Sequence, residues 1–146
     1  MKLNGILIYL LCAAAVFAET PKSILLISGN PSHGPGEHEF PDGCEVLAKA
    51  LNESGLNVTA AVHSGSWPEA EQLRHVDTVV LYCDGNQDHL LLNRESDLET
   101  LATRGAGIVI LHYALDGTAG KLDDTLLNVV GGFYHDQDSQ NPLWML

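Results

Sequence analysis

Five of the seven histidines in this chain stand at or just beyond the ends of short apolar runs, with carboxylates beside them. Ser23 to Ser28 (SILLIS) empties into a loop carrying His33, Glu37, His38 and Glu39. Leu56 to Val62 is followed by His63, and Asp77 to Cys83 by Asp84, Asp88 and His89. Gly107 to His112 (GIVILH) ends on His112 itself, with Tyr113 next. An imidazole near neutral pH serves as general base, hydrogen-bond donor or metal ligand, and a carboxylate across a crevice completes an acid/base pair. On residue type and place, His112, His38 and Glu39 are the expected catalytic residues, and His33, Glu37, Asp84 and His89 the expected substrate contacts. His33, His38 and His112 form a candidate set of ligands for a divalent metal. His75 and His135 read as solvated side chains. Asp84 followed by Gly85 also reads as a simple turn former, and Trp67 and Trp144 as either sugar-stacking or packing residues.

Other chemistries fail on spacing. His33-x4-His38-Glu39 is not H-E-x-x-H, and its glycines and prolines break the helix that motif needs. Gly29, Gly34 and Gly36 do not make G-x-G-x-x-G, and no Lys-Ser/Thr follows Gly34 as a Walker loop requires. Pro31 and Pro35 remove two amides from any phosphate cradle. There is thus no NAD or ATP signature. No G-x-S-x-G elbow is present, and the turn after the fourth apolar run offers His112 where a Ser or Cys nucleophile would stand.

The elements that must position these residues follow from hydrophobic period. The continuous run 23–28 predicts a strand buried on both faces. Residues 42–54 predict a helix with Val46, Leu47, Ala50 and Leu51 on its apolar face, ended by Gly55 as a C′ residue. Residues 56–62 alternate, as an edge strand would, and 68–74 predict short helical turns beginning at Pro68. Strand 77–83, helix 93–104 ended by Gly105, strand 107–112 and helix 121–130 ended by Gly131-Gly132 complete a βαβαβαβα order. That order implies a parallel sheet with helices on both faces, with ligands bound outside the carboxyl ends of the strands. The amino ends offer only Lys22, Asn57, Asp77 and Gly105, with His75 nearby. All the chemistry therefore falls at one sheet edge.

Composition bounds the rest. With 146 residues, 45% of them hydrophobic, the chain has room for one domain. A formal net charge of -12 with 7 Lys and Arg excludes counterion-releasing contact with nucleic acid. Met1-Lys2, the apolar run Ile6 to Phe17 and Val16-Phe17-Ala18 predict a signal peptide over residues 1–18, hence a secreted or periplasmic domain over 19–146. The run is shorter than a bilayer span, so no membrane anchor is expected after cleavage. Cys44 and Cys83 are open to pairing in an oxidising compartment, but their apolar settings favour two free buried thiols.

Taken together, ILLISGNPSHGPGEHEF, VVLYCDGNQDHLLL, RGAGIVILHYA and GGFYHDQDSQNPLW resemble the trehalose-utilisation, or ThuA-like, family. The likeness runs over about residues 23–144 and rests most on SHGPGEHEF and LHYA. It implies a flavodoxin-like parallel sheet similar to class I glutamine amidotransferases, without their catalytic Cys. It also implies work on trehalose, related disaccharides or their derivatives. The family's pattern continues past Asn141, Pro142 and Trp144 into further strands, so the resemblance implies a domain truncated at its C-terminus. By position it points to His33, Glu37, His38, Glu39, Asp84, His89, His112 and Tyr113. A non-catalytic sugar- or metal-binding module, or an inactive fragment, is the competing expectation.

Overall fold

The computed structural model describes residues 19–118 and 120–134, so the expected signal peptide, His135 and Trp144 lie outside the described residues. Four parallel strands form one sheet in the order β2-β1-β3-β4: β1 Lys22–Ser28, β2 Val58–Ser64, β3 Thr78–Tyr82 and β4 Gly107–Leu111. Between them run α1 Phe40–Glu53, α2 Ala70–Leu73 and α3 Glu95–Thr103, and after β4 comes α4 Lys121–Val130. This is an α/β sandwich of flavodoxin-like strand order. The direction of chain travel across the sheet reverses between β1 and β3, which makes their carboxyl ends the switch point where such sheets bind ligands.

Alternation along the strands splits the core into two layers. Leu25 and Ile27 of β1 and Val79 and Leu81 of β3 pack against Leu98 and Leu101 of α3 and Leu122 and Leu126 of α4. Leu26 and Val80 face the other way, against Cys44 and Ala48 of α1. The two strands buried most deeply are β1 and β3, as their unbroken apolar runs predicted, while β2 lies at an edge. Both thiols are free and buried. Burial pushes Cys44 and Cys83 each up to about 11, leaving neither as a nucleophile at neutral pH.

Three expectations on the elements need correction. The buried stripe of α1 is Phe40, Cys44 and Ala48, at four-residue spacing, whereas Val46 is 68% exposed. Val46 sits two residues from Cys44, about 200° around the helix, on the opposite face. Pro68 does not begin α2. Glu69 precedes it as N-cap in a capping box with Gln72, and Pro68 packs in the interior. Strand β2 starts two residues late, because Gly55 takes a left-handed φ of 78° and the Val58 amide donates to the Leu56 carbonyl in a turn. Among the described residues, no helix is long and apolar enough to cross a membrane.

Candidate functional site

Between β1 and α1 the chain makes a compact loop held by its own polar groups. The Ser32 amide donates to the His38 carbonyl at 3.2 Å, bringing the two ends of the loop together. The Gly34 amide donates to Glu37 Oε2 and the Gly36 amide to Glu39 Oε1, both at 2.9 Å. His33 closes the turn in the left-handed region at φ 64°, a conformation that costs a β-carbon residue energy and is held here by the surrounding bonds. Its ring meets His38 with centroids 4.0 Å apart. Phe40, fully buried at the start of α1, supports the His38 ring at 5.4 Å and packs edge-on against Tyr82.

On the other side of the crevice, β3 and β4 deliver their own residues. Asp84 follows β3 and sets its Oδ1 3.6 Å from His38 Nδ1. His112 does not continue β4 as the apolar run suggested. It steps into the left-handed region at φ 55° and opens the 3-10 turn His112–Leu115. That turn swings the imidazole toward the β1 loop, 5.4 Å from the His38 ring and 4.3 Å from that of Tyr113. Tyr113 also stands 5.1 Å from His38. His33, His38, His112, Tyr113 and Asp84 are thus brought together at the switch point.

The electrostatics follow from that crowding. Partial burial of the His112 ring holds its pKa below the ordinary imidazole value, and the neighbouring His38 adds to the effect while Asp84 opposes it. A neutral His112 can accept a proton at neutral pH. Ser32 Oγ lies 2.9 Å from His33 Nδ1 and 3.1 Å from His38 Nδ1. One hydroxyl proton serves only one of them, so the other nitrogen must donate to the oxygen. One donor atom each from His33, His38 and Asp84 falls within 4.8 Å of the others, the group of metal-ligating type found among the described residues. Asp84 therefore stands where the sequence placed His112 in the ligand set. Beside this cluster, a cavity of about 260 Å³ opens between Asn30, Pro31, Ser32, Asp84, Asp88 and Leu90.

The remaining expected site residues stand apart. Glu37 and Glu39 spend a carboxylate oxygen each on the loop's amides. His89 is 3% exposed and turned inward: its Nε2 donates to the Ala114 carbonyl at 2.9 Å, and its Nδ1 accepts from the Leu91 amide at 3.0 Å. It ties the β3 loop to the β4 turn and presents no free nitrogen to the crevice. Burial holds it neutral, with a pKa below the usual imidazole value. Trp67 is a core residue whose Nε1 donates to Asp97.

His63 Nε2 lies 3.1 Å from Ser66 Oγ, which has the look of a base and nucleophile. The pair is wired the wrong way. Gln72 Oε1 accepts from the Glu69 amide, so its Nε2 must donate to His63 Nδ1, which leaves His63 Nε2 carrying the hydrogen. A larger cavity of about 640 Å³ runs along the outer edge of β4 past Val109, Val130 and Phe133, but among the described residues no cluster of titratable groups converges there.

Sequence reasoning missed two residues that build the site. Ser32 links both imidazoles, and Gly85 lets the β3 loop lie against the backbone of Tyr113 and Asp116. Gly85 is legible from Asp-Gly as a turn, but its neighbour across the crevice is not. Compared with protein-family models, with curated proteins and with solved structures, the chain matches none.

Proposed function

We propose that this is an exported, ThuA-like domain that binds and processes a sugar or sugar derivative in the crevice between the β1 loop and the ends of β3 and β4. The observation that carries the reading is the meeting of His33, His112, Tyr113 and Asp84 around His38 at the switch point of the sheet. Ring faces with hydrogen-bonding edges suit a polyhydroxylated ring, whose C–H face packs on an aromatic while its hydroxyls exchange hydrogen bonds. The cavity of about 260 Å³ falls just below the range of about 300–1,000 Å³ typical of drug-sized ligands. It is lined by Ser32, Asp84 and Asp88 beside the ring cluster, and its size suits one sugar ring better than a whole disaccharide.

In this reading His112 takes the proton from the reacting hydroxyl or water, and Tyr113 and Asp84 orient the substrate. His38 shares the acid/base work across the crevice, and the His33–Glu39 loop closes one wall. His112→Ala removes the base while leaving the sheet intact, since the ring stands outside the core. Turnover in a panel of disaccharides and keto-sugars, followed by product chromatography, should fall at least about 100-fold in that variant, the low end of what a positioned acid/base supplies. Unchanged turnover would sink the assignment. Saturable sugar binding with no product from the wild-type chain would favour the competing class, a module that binds without catalysis.

A further inference from the structure

The geometry points to a mononuclear site for a first-row divalent transition ion, of the zinc or cobalt kind, held by His33, His38 and Asp84. The inference rests on the crevice of the proposed function and deepens it by naming a cation that the site would hold. Its basis is the convergence of two imidazoles and one carboxylate, each donor within 4.8 Å of the others. Ligands about 2.0–2.2 Å from one tetrahedral ion stand roughly 3.3–3.6 Å from each other. His38 Nδ1 and Asp84 Oδ1 are already 3.6 Å apart. The His33 donor lies within 4.8 Å of the other two, so a side-chain rotation of at most roughly an ångström completes that spacing while the loop backbone stays as it is.

The loop is built to hold its two histidines in place. The Ser32–His38 bridge closes it, and Glu37 and Glu39 tie its glycine amides. Both histidines turn a ring nitrogen toward the single Ser32 hydroxyl, which can donate to only one of them. With each ring carrying its hydrogen on Nε2, a divalent ion in that place would accept both Nδ1 lone pairs at once. Imidazole and carboxylate donors in a two-to-one ratio select zinc, cobalt or iron over magnesium and calcium, which seek six or more oxygens. Three protein ligands leave a coordination position open, the pattern of catalytic rather than structural zinc. His112 lies beside the set, 5.4 Å from His38 between ring centres, and is not one of the three. The chain's charge of -12 raises the local concentration of cations around the site.

Full-length protein, stripped with a chelator, is titrated with cobalt(II) chloride while visible absorption is recorded, and with zinc(II) by calorimetry. One equivalent of cobalt should produce the intense d–d bands of a four- or five-coordinate ion, and one of zinc should displace it. Asp84→Asn and His38→Ala should each weaken binding by more than about 100-fold, beyond the 10–100-fold that loss of an outer-sphere partner gives. Asp84→Asn is isosteric and preserves the fold if His38→Ala does not. His112→Ala should keep one equivalent and the same bands. The site is overturned by the absence of saturable binding, by binding indifferent to both ligand substitutions, or by a loss in His112→Ala as large as in Asp84→Asn. Sugar turnover by metal-stripped protein that takes up no cobalt would overturn the metal site and leave the sugar reading standing. Cobalt binding without any response to sugars would support the site and remove the sugar reading.

Discussion

His112 and His89 share a residue type and a place at a strand's carboxyl end, yet they do opposite things. His112 steps off β4 in a left-handed conformation and offers its ring to the crevice. His89 turns inward and uses both nitrogens on buried backbone groups. His89→Leu keeps the volume but orphans the Leu91 amide and the Ala114 carbonyl, each at a cost of about 1–3 kcal/mol. Urea unfolding should show that loss, with the slope against denaturant unchanged. The pH dependence has a definite sign. Burial depresses the folded pKa of His89 below its ordinary 6.5, so the folded protein resists a proton that the unfolded chain accepts. The contribution is complete above pH 6.5 and is lost as pH falls through the depressed value. The wild-type melting temperature should therefore drop across that window more steeply than that of His89→Leu. The sequence separates the two only by position, His112 directly after Leu111 and His89 six residues beyond Cys83 in a polar loop. That difference does not say which ring is buried, and only the partner across the chain decides which nitrogen is free.

The loops after β3 and β4 work as one element because a glycine lets them touch. A β-carbon at Gly85 would stand 2.5 Å from Asp116 Cβ and 2.8 Å from the Tyr113 carbonyl oxygen. Those are near-rigid backbone neighbours, so neither can yield. Asn86 fastens the contact, its amide donating to the Asp116 carbonyl and its side chain to Asp116 Oδ2. Gly85→Ala should cost about 1–3 kcal/mol as overpacking does and should displace His112 and Tyr113 with the turn that carries them. In proton NMR the Tyr113 ring resonances should shift, and any sugar response should weaken with them. An unaltered spectrum with wild-type stability would show that the two loops are not coupled. The order of elements was readable from period alone, since strands and helices switch between spacings of two and about 3.6 residues. The phase of α1 was only partly readable, because Val46 and Leu47 extend a plausible apolar face from Leu51, and Tyr82 and the sheet keep Leu51 but select Phe40, Cys44 and Ala48 with it. Gly43 belongs to that selection, with a β-carbon there reaching to 2.8 Å from the Tyr82 ring.

At the scale of the whole molecule, 19 acidic groups against 7 basic ones give a charge of -12 on a small domain. Among the described residues few ion pairs offset it, and those such as Lys22–Asp77 lie at the surface, where each is worth little. Self-repulsion should therefore lower stability at low ionic strength. Thermal melts should rise with added sodium chloride between about 10 and 150 mM, the range over which the screening length shrinks from about 30 to 8 Å. A flat response would mean that the charges are compensated locally. The sequence by itself determined the fold class, the βαβαβαβα order and the edge of the sheet where the chemistry gathers. Those follow from periodicity and from right-handed crossovers, which are properties of the chain read locally. Only the tertiary structure decided that Asp84 joins His33 and His38, that His112 stands beside them and that His89 is buried. These are distances between loops separated by up to dozens of residues, set by the parallel register of β1, β3 and β4 and by the backbone turns at His33, Gly85 and His112. Spacing along the chain carries no measure of them.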